Sequence, residues 1–251
     1  MEIVEKKFHE TTAILFGKPL TELDKYEKWL SENMEKVIAT KSVLSNETVY
    51  SAPSLFYKHI ADKVAKMDEA LKLGEQQISE KDASELTLEN AGKKLNNIST
   101  VSTELTFGNN SNNTECTTCF DSHNNYRTSF LIKSRYTAYC FWPRIVEYAF
   151  GCVLLFSSNF CINCYHSSHL TRCFEMSDCS SCRDSYFCHN SEDLADCMFC
   201  FNTKGMKYAI GNVEIGKANY ERVKKLVLDE IVSKLEKNKR IEWTIFNIGI
   251  R

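Results

Sequence analysis

The sequence predicts an α+β fold with a helical N-terminal region, a central cysteine-rich β-solenoid of 18-residue coils, and a C-terminal strand–helix–strand cap. Three observations lead to this prediction. Apolar residues recur at helical spacing before residue 107, a cysteine repeat occupies 115–205, and strand-like alternation flanks a helical pattern in 206–251. All 12 cysteines lie in the middle part, so the composition itself marks three regions: 1–107, 115–205 and 206–251.

Two apolar stripes define the N-terminal region. The first runs from Leu20 to Ile38 at steps of three and four residues, with Thr21 as its N-cap. The second runs from Phe56 to Leu71, and Gly74 is placed to end it. We expect both stripes to form helices that pack against each other or against the neighbouring region.

The cysteines repeat at a fixed interval. Residues 152–169, 170–187 and 188–205 align as three lines of eighteen. Two cysteine columns result, one with Cys161, Cys179 and Cys197, the other with Cys164, Cys182 and Cys200. We therefore expect the three members of each column to lie above one another in stacked coils.

A shorter interval underlies this repeat, because every cysteine falls on a single three-residue grid. Residues three apart point to opposite faces of a straight strand, so the grid requires a chain that bends every few residues. Eighteen residues fit a three-sided coil, and counting from Cys116 gives five coils, a stack of about 24 Å. Small apolar thiols suit the narrow interior of such a coil. The regions before and after it are the natural covers for its open ends.

Four Cys-x-x-Cys pairs raise the question of metal binding. Two such pairs separated by a loop of this length are typical of zinc sites, because four thiolates close a tetrahedron. The candidate ligands are Cys161, Cys164, Cys179, Cys182, Cys197 and Cys200. The middle pair cannot serve two sites at once, which favours packing of reduced, metal-free thiols; zinc stays the alternative, and a cluster or redox role is a third. His166, His169 and His189 are further ligands or surface residues.

The remaining features argue against enzymatic chemistry. Cys188 and His189 are neighbours, so an extended chain points them apart. No phosphate-binding glycine loop, paired-carboxylate motif or zinc-protease helix occurs, so we predict neither an enzyme nor a cofactor. A net charge of −2 offers no broad basic field for nucleic acid. The charged N-terminus and the lack of a long apolar run lead us to expect no membrane partner, and a cytoplasmic protein or an intracellularly assembled particle.

The end of the repeat carries a resemblance to other proteins. The stretch from Asp196 to Asn212, followed by Tyr220, resembles the close of uncharacterised cysteine-rich β-solenoid repeat proteins of uncultivated bacteria and archaea and their mobile elements. The similarity covers about 115–237, and the closing strand is its most specific part. It implies stacked coils followed by a strand and a helix. It implies no activity and no role for any residue.

A short solenoid has a small core and two open ends, which favours association with itself. We expect a non-enzymatic structural protein that assembles into a larger particle or fibre, such as a viral or cell-made one. The alternative is a zinc-binding protein-interaction module. The apolar residues around Trp29 and Phe56, or the tail with Trp243, Ile245 and Ile248, are the expected interface of a homo-oligomer.

Overall fold

A computed structural model of the chain describes residues 1–54, 57 and 59–250. Its α-helices are α1 (Glu2–Phe16), α2 (Glu27–Leu30), α3 (Met67–Leu73), α4 (Glu80–Ser84), α5 (Leu88–Lys94) and α6 (Lys217–Asn238), and 3-10 helices cover Leu23–Tyr26 and Ala61–Lys63. Its strands are β1 (Ile38–Lys41), β2 (Thr48–Ser51), β3 (Val64–Ala65), β4 (Val101–Ser102), β5 (Thr106–Phe107), β6 (Thr117–Phe120), β7 (Ser129–Ile132), β8 (Arg135–Ala138), β9 (Glu147–Phe150), β10 (Asn159–Ile162), β11 (Thr171–Ser177), β12 (Tyr186–His189), β13 (Ala195–Met198), β14 (Lys207–Ile210) and β15 (Val213–Glu214).

The centre of the molecule is a β-solenoid of about nine turns, and helical segments precede and follow it. This confirms the predicted α+β fold with a central β-solenoid. Each residue of a coil pairs in parallel with the residue twelve positions later, as Asn159 does with Thr171 and Cys161 with Cys173. Backbone N–H groups continue this ladder between the strands, so every coil is joined to the next on all its sides.

The bend that closes each coil is made by left-handed backbone at every third residue. From Asn112 to Gly211 each third residue has a positive φ, and glycine occupies only three of these positions. The residue that follows each bend points inward. Four bends occur in twelve residues, so the coil has four sides with three residues on each. Non-glycine residues resist this conformation, which means that the ladder hydrogen bonds and the packed interior hold it in place.

The predicted coil length of eighteen residues is wrong, and so are the three-sided shape and the count of five coils. Cys161 lies above Cys173, and Cys179 belongs to a different column. Cys161 and Cys197 do share a column, because 36 residues are three coils of twelve as well as two lines of eighteen. Cysteine shares the inward positions with serine, threonine, leucine and methionine, so the cysteines alone do not mark every position of a column.

The N-terminal region is less helical than predicted. The stripe from Leu20 to Ile38 forms a 3-10 turn and α2 but ends at Ser31, and Ile38 starts β1, which pairs antiparallel with β2. Backbone pairing in this hairpin thus overrides the helical spacing. Phe56 lies outside the described residues. In the second stripe Val64 belongs to β3, which pairs with β4 and interrupts the predicted helix; α3 follows it, and Gly74 caps α3 as predicted.

Two helices with buried faces lie at the chain ends. In α1, Val4, Phe8 and Leu15 form a buried stripe, and Gly17 ends the helix with a left-handed φ of 74°. Helix α6 matches the helix predicted for 217–237. The predicted final strand is wrong, because residues 241–250 form turns whose Ile241 and Ile245 are buried. Both helices pack along one side of the solenoid, so α6 does not cover its end.

Candidate functional site

The inward thiols form the first candidate site. All twelve cysteines are free, and eleven of them are buried. The Cys164 thiol donates hydrogen bonds to the carbonyl oxygens of Ile162, 3.5 Å away, and Cys173, 3.6 Å away. The Ser167 hydroxyl on the next side of the coil bonds in the same way to Tyr165 O at 2.9 Å. Cysteine and serine therefore do the same structural work, filling a small space and donating to the carbonyl two residues earlier.

The six candidate zinc ligands do not converge. Each Cys-x-x-Cys pair spans two neighbouring sides of one coil. Cys161/Cys164 and Cys197/Cys200 lie on the same two sides but three coils apart, whereas Cys179/Cys182 lie on the other two sides. In the part of the chain that the structure describes, no group of three or more His, Cys, Asp or Glu side chains is arranged to hold a metal ion.

Burial also changes the chemistry of the thiols. It raises the pKa of Cys119 to about 12 and raises the pKa of Cys140, Cys173 and Cys188 well above that of a free thiol. The thiolate is the form that attacks electrophiles and binds metals, so these side chains are held in the unreactive form. These four thiols therefore act as packing residues, whereas hydrogen bonds with neighbouring thiols lower the pKa of Cys182 and Cys200.

The histidines lie on the outside of the coils, apart from the thiol interior. His166 and His189 flank Asp178, with Nδ1–carboxylate distances of 3.5 and 3.8 Å, and His169 Nδ1 is 2.7 Å from Ser168 Oγ. Cys188 is fully buried while His189 is half exposed, as the extended chain predicts. Cys188 and His189 therefore do not contact each other as a pair.

One side of the solenoid is covered by the chain itself. Phe150 contacts Phe8 of α1 with ring centroids 5.2 Å apart, and Phe174 contacts Phe16 at 5.0 Å. Gly151 allows a further close approach, since a Cβ there would lie 2.4 Å from the Leu30 carbonyl oxygen and 2.3 Å from Asn163 Oδ1. We call this side, with α1, α6 and the tail packed on it, the covered side.

The covered side includes the residues that the sequence assigned to an oligomer interface. Trp29 and Ile245 are buried in its core, and Trp243 and Ile248 pack against that core. These apolar residues are therefore engaged within one chain. Burial within the chain leaves Trp29 and Ile245 no free surface for a second copy, whereas Trp243 and Ile248 are only partly buried. The assignment of an oligomer interface to the tail stays a prediction.

The ends of the solenoid are also covered in part. At the C-terminal end β15 pairs antiparallel with β14, and the Asn212 side chain bonds to both the N–H and the carbonyl of Phe201, at 2.9 and 2.8 Å. At the N-terminal end Cys119 N–H donates to Leu105 O at 2.8 Å. An antiparallel strand interrupts the parallel ladder, so simple end-to-end stacking is blocked at the C-terminal end.

An uncovered aromatic surface lies on the sides away from α1 and α6. We call Phe130, Trp142, Arg144, Ile145 and Phe156 the aromatic face. The rings of Phe130 and Trp142 are tilted by 33° with centroids 5.2 Å apart. The Arg144 guanidinium lies 4.8 Å from the Trp142 centroid and 5.3 Å from that of Phe156. Ile145 is 59% exposed and Phe156 38%. Apolar residues grouped on an uncovered surface are typical of interaction sites.

Sequence reasoning missed this face although a signal for it exists. When the chain is aligned in steps of twelve, Phe130 and Trp142 share one column, and Ile132, Arg144 and Phe156 share another. The 18-residue alignment separates these residues, so the column of aromatic side chains stays hidden in it.

A second unused surface lies before the solenoid. We call residues 67–100 the arm; it contains α3, α4 and α5, and none of its residues is buried. Leu88 is 98% exposed and Leu71 67%, and Leu86 is exposed as well. Its base is tied to the hairpin through Ser42 Oγ, which donates to Glu69 Oε2 at 2.5 Å. Met67 N–H donates to Glu104, which follows β4.

Comparison with known proteins adds no relative: no protein-family model matches this chain, and neither a curated protein nor a solved structure shows a match to it. The resemblance to cysteine-rich repeat proteins stays a prediction. None of the helices in the described ranges combines the length and the apolar character that a membrane-spanning helix needs.

Proposed function

We propose that this chain is a non-enzymatic structural protein that associates with further copies of itself, side by side, into a larger particle or fibre. The observation that carries the proposal is the aromatic face, which is apolar and uncovered although the same chain buries a comparable aromatic surface under α1. Burying such a face stabilises a complex by about 25 cal/mol for each Å² of apolar area removed from water.

The rest of the molecule supports a scaffold. The solenoid is rigid in the sense that each coil bonds to its neighbours on four sides, and its interior thiols are hydrogen-bonded and buried. With the C-terminal end closed by β15 and Asn212, the solenoid sides are the surfaces left for assembly. The proposed partner is another copy of the chain, and nucleic acid and membranes are not among the partners that we propose.

The test compares two substitutions of equally exposed residues. Ile145→Glu places a charge in the aromatic face, while Leu226→Glu places one on α6, where Leu226 is 61% exposed. Sedimentation velocity at micromolar concentration, with electron micrographs of the same samples, measures assembly. We expect the wild type and Leu226→Glu to form large species and Ile145→Glu to sediment as a monomer. A wild type that remains a 28.9 kDa monomer across this range overturns the proposal.

A further inference from the structure

The arm is an unusual segment for a folded protein. Its three helices have seven, five and seven residues, and isolated helices of that length are marginal in water. Helices of globular proteins gain most of their stability by burying an apolar face, yet Leu71, Leu86 and Leu88 are exposed. The arm therefore carries apolar residues that no described part of its own chain covers.

The charges of the arm are mostly acidic. Residues 67–100 contain seven acidic and four basic side chains, a net charge of −3. Asp82 and Glu85 pair with Lys94, at 3.4 and 3.1 Å. Glu75, Glu80 and Glu89, in contrast, have no ion-pair partner among the residues that the structure describes. These three carboxylates are available to a basic surface.

Two exposed cations lie at the edge of the aromatic face, and one carboxylate, Glu147, is the ladder partner of the second of them. Lys133 lies one coil before Ile145 in the same column, and Arg135 follows on the next side of that coil. Within the described residues neither of them forms an ion pair, and both are exposed. The Arg144 guanidinium rests between two rings, and its Nε is buried without a hydrogen-bond partner. Apolar rings beside unpaired cations complement an acidic segment with exposed leucines.

We propose that the arm of one copy docks on the aromatic face of a second copy, with its leucines on the rings and its free carboxylates beside Lys133 and Arg135. This inference rests on the proposed function and specifies its interface. The arm and the face are different surfaces, so docking leaves a free arm at one end of the complex and a free face at the other. Such a contact propagates, and it yields a ring if the rotation closes or a fibre if it does not.

The first experiment separates the arm from the face. The double variant Leu71→Ser/Leu88→Ser changes two residues that the monomer does not bury, so the fold is unaffected. We expect it to raise the dissociation constant of self-association at least tenfold, as measured by sedimentation, whereas the matched Leu226→Ser leaves it unchanged. If Ile145→Glu abolishes assembly and the arm variant assembles like the wild type, the arm inference fails while the proposed function stands. If the wild type does not assemble, the proposed function itself fails.

A charge exchange tests the pairing directly. The double variant Lys133→Glu/Arg135→Glu reverses the charge at the edge of the aromatic face. The double variant Glu80→Lys/Glu89→Lys reverses the charge of the two carboxylates in the arm. For each double variant alone, the dissociation constant of self-association should rise at least tenfold, because like charges then face each other in the contact. An equimolar mixture should recover it, since the basic arm of one variant fits the acidic face of the other and the two unchanged surfaces still match. The double variant Arg222→Glu/Lys225→Glu on α6 controls for net charge. If the mixture assembles no better than either variant alone, the inference is overturned.

Discussion

Phe150 and Phe156 lie half a coil apart, on opposite sides of the same four-sided turn, and their side chains differ in burial. Phe150 points outward into α1 and is fully buried, whereas Phe156 points outward on the aromatic face and is 38% exposed. The backbone on the two sides is nearly the same, with a left-handed residue directly after each phenylalanine at Gly151 and Ser157. An outward aromatic residue of a solenoid thus becomes core or surface according to what the rest of the chain lays over it.

The comparison implies different energetic roles for the two sides. The covered side joins α1, α6 and the tail to the solenoid in one apolar cluster, so its loss affects the stability of the monomer. The aromatic face contributes little to the monomer and is free to stabilise a contact with another molecule. The predictions below test this division, beginning with the largest expected effect.

Phe150→Ala should lower the free energy of unfolding by about 3–5 kcal/mol, because it removes a ring packed on Phe8 and leaves a cavity. The matched Phe156→Ala should cost less than about 1 kcal/mol in the monomer, since its ring is already partly in water. Urea denaturation of both variants at a concentration below assembly measures the difference. Equal losses would contradict the division between the two sides.

Glu175→Gln should stabilise the protein at neutral pH. Glu175 is buried on the covered side, where its Oε2 accepts a hydrogen bond from Ile245 N–H at 2.7 Å and its Oε1 has no partner. Burial raises its pKa from 4.5 to about 8, while the Ile245 amide and Asn163 act in the opposite direction and the Cys152 and Glu32 charges raise it further. The folded protein therefore keeps this proton at neutral pH and the unfolded chain releases it.

The pH dependence follows from that difference. Below about pH 4.5 both states hold the proton, and between 4.5 and about 8 only the folded state does, so the free energy of unfolding falls as the pH rises through this window. Glu175→Gln removes this loss, on the order of 3 kcal/mol at pH 7. Thermal unfolding from pH 4 to pH 9 measures it. An unchanged pH profile in the variant would show that Glu175 is not the group responsible.

Cys164→Ser should cost only about 1 kcal/mol, because serine already fills equivalent inward positions and donates to the same kind of carbonyl. The reverse change, Ser167→Cys on the neighbouring side, should have an effect of similar size.

We also expect protein purified without chelator to contain no stoichiometric metal by elemental analysis. Zinc that is lost together with the fold on chelation would instead favour the metal-binding alternative.

Ile145→Asn should stabilise the monomer by about 1 kcal/mol and weaken assembly at the same time. Ile145 holds a φ of 55°, which a β-branched residue resists and asparagine tolerates. Phe156→Asn is the control, because it removes a ring from the same face at a position outside the left-handed region. If Ile145→Asn raises both the melting temperature and the assembly, the aromatic face is not the contact surface.

Much of the solenoid could be predicted from the cysteines, and its coil could not. The three-residue grid identifies the inward positions correctly, because these positions hold side chains that the interior buries, from Cys161 and Ser167 to the larger Leu170. Four sides close a turn of twelve residues, in place of the predicted three sides and eighteen residues. This number depends on backbone angles that residue identity does not reveal: the left-handed positions hold Trp142, Ile145 and Asp178 alike. The aromatic face was missed for the same reason, since its columns exist only at the right coil length.

The sequence by itself determined the elements whose side-chain pattern is local: the inward grid, helix α6 and the end of α3 at Gly74. The tertiary structure alone decided which pattern prevails where two compete, as in the stripe from Leu20 to Ile38 that becomes a short helix and a hairpin strand. It also decided which outward residues are core. That choice depends on which side of the solenoid α1, α6 and the tail pack against. Contacts such as that between Phe8 and Phe150 join residues that are far apart in the chain, so a local sequence pattern does not predict them.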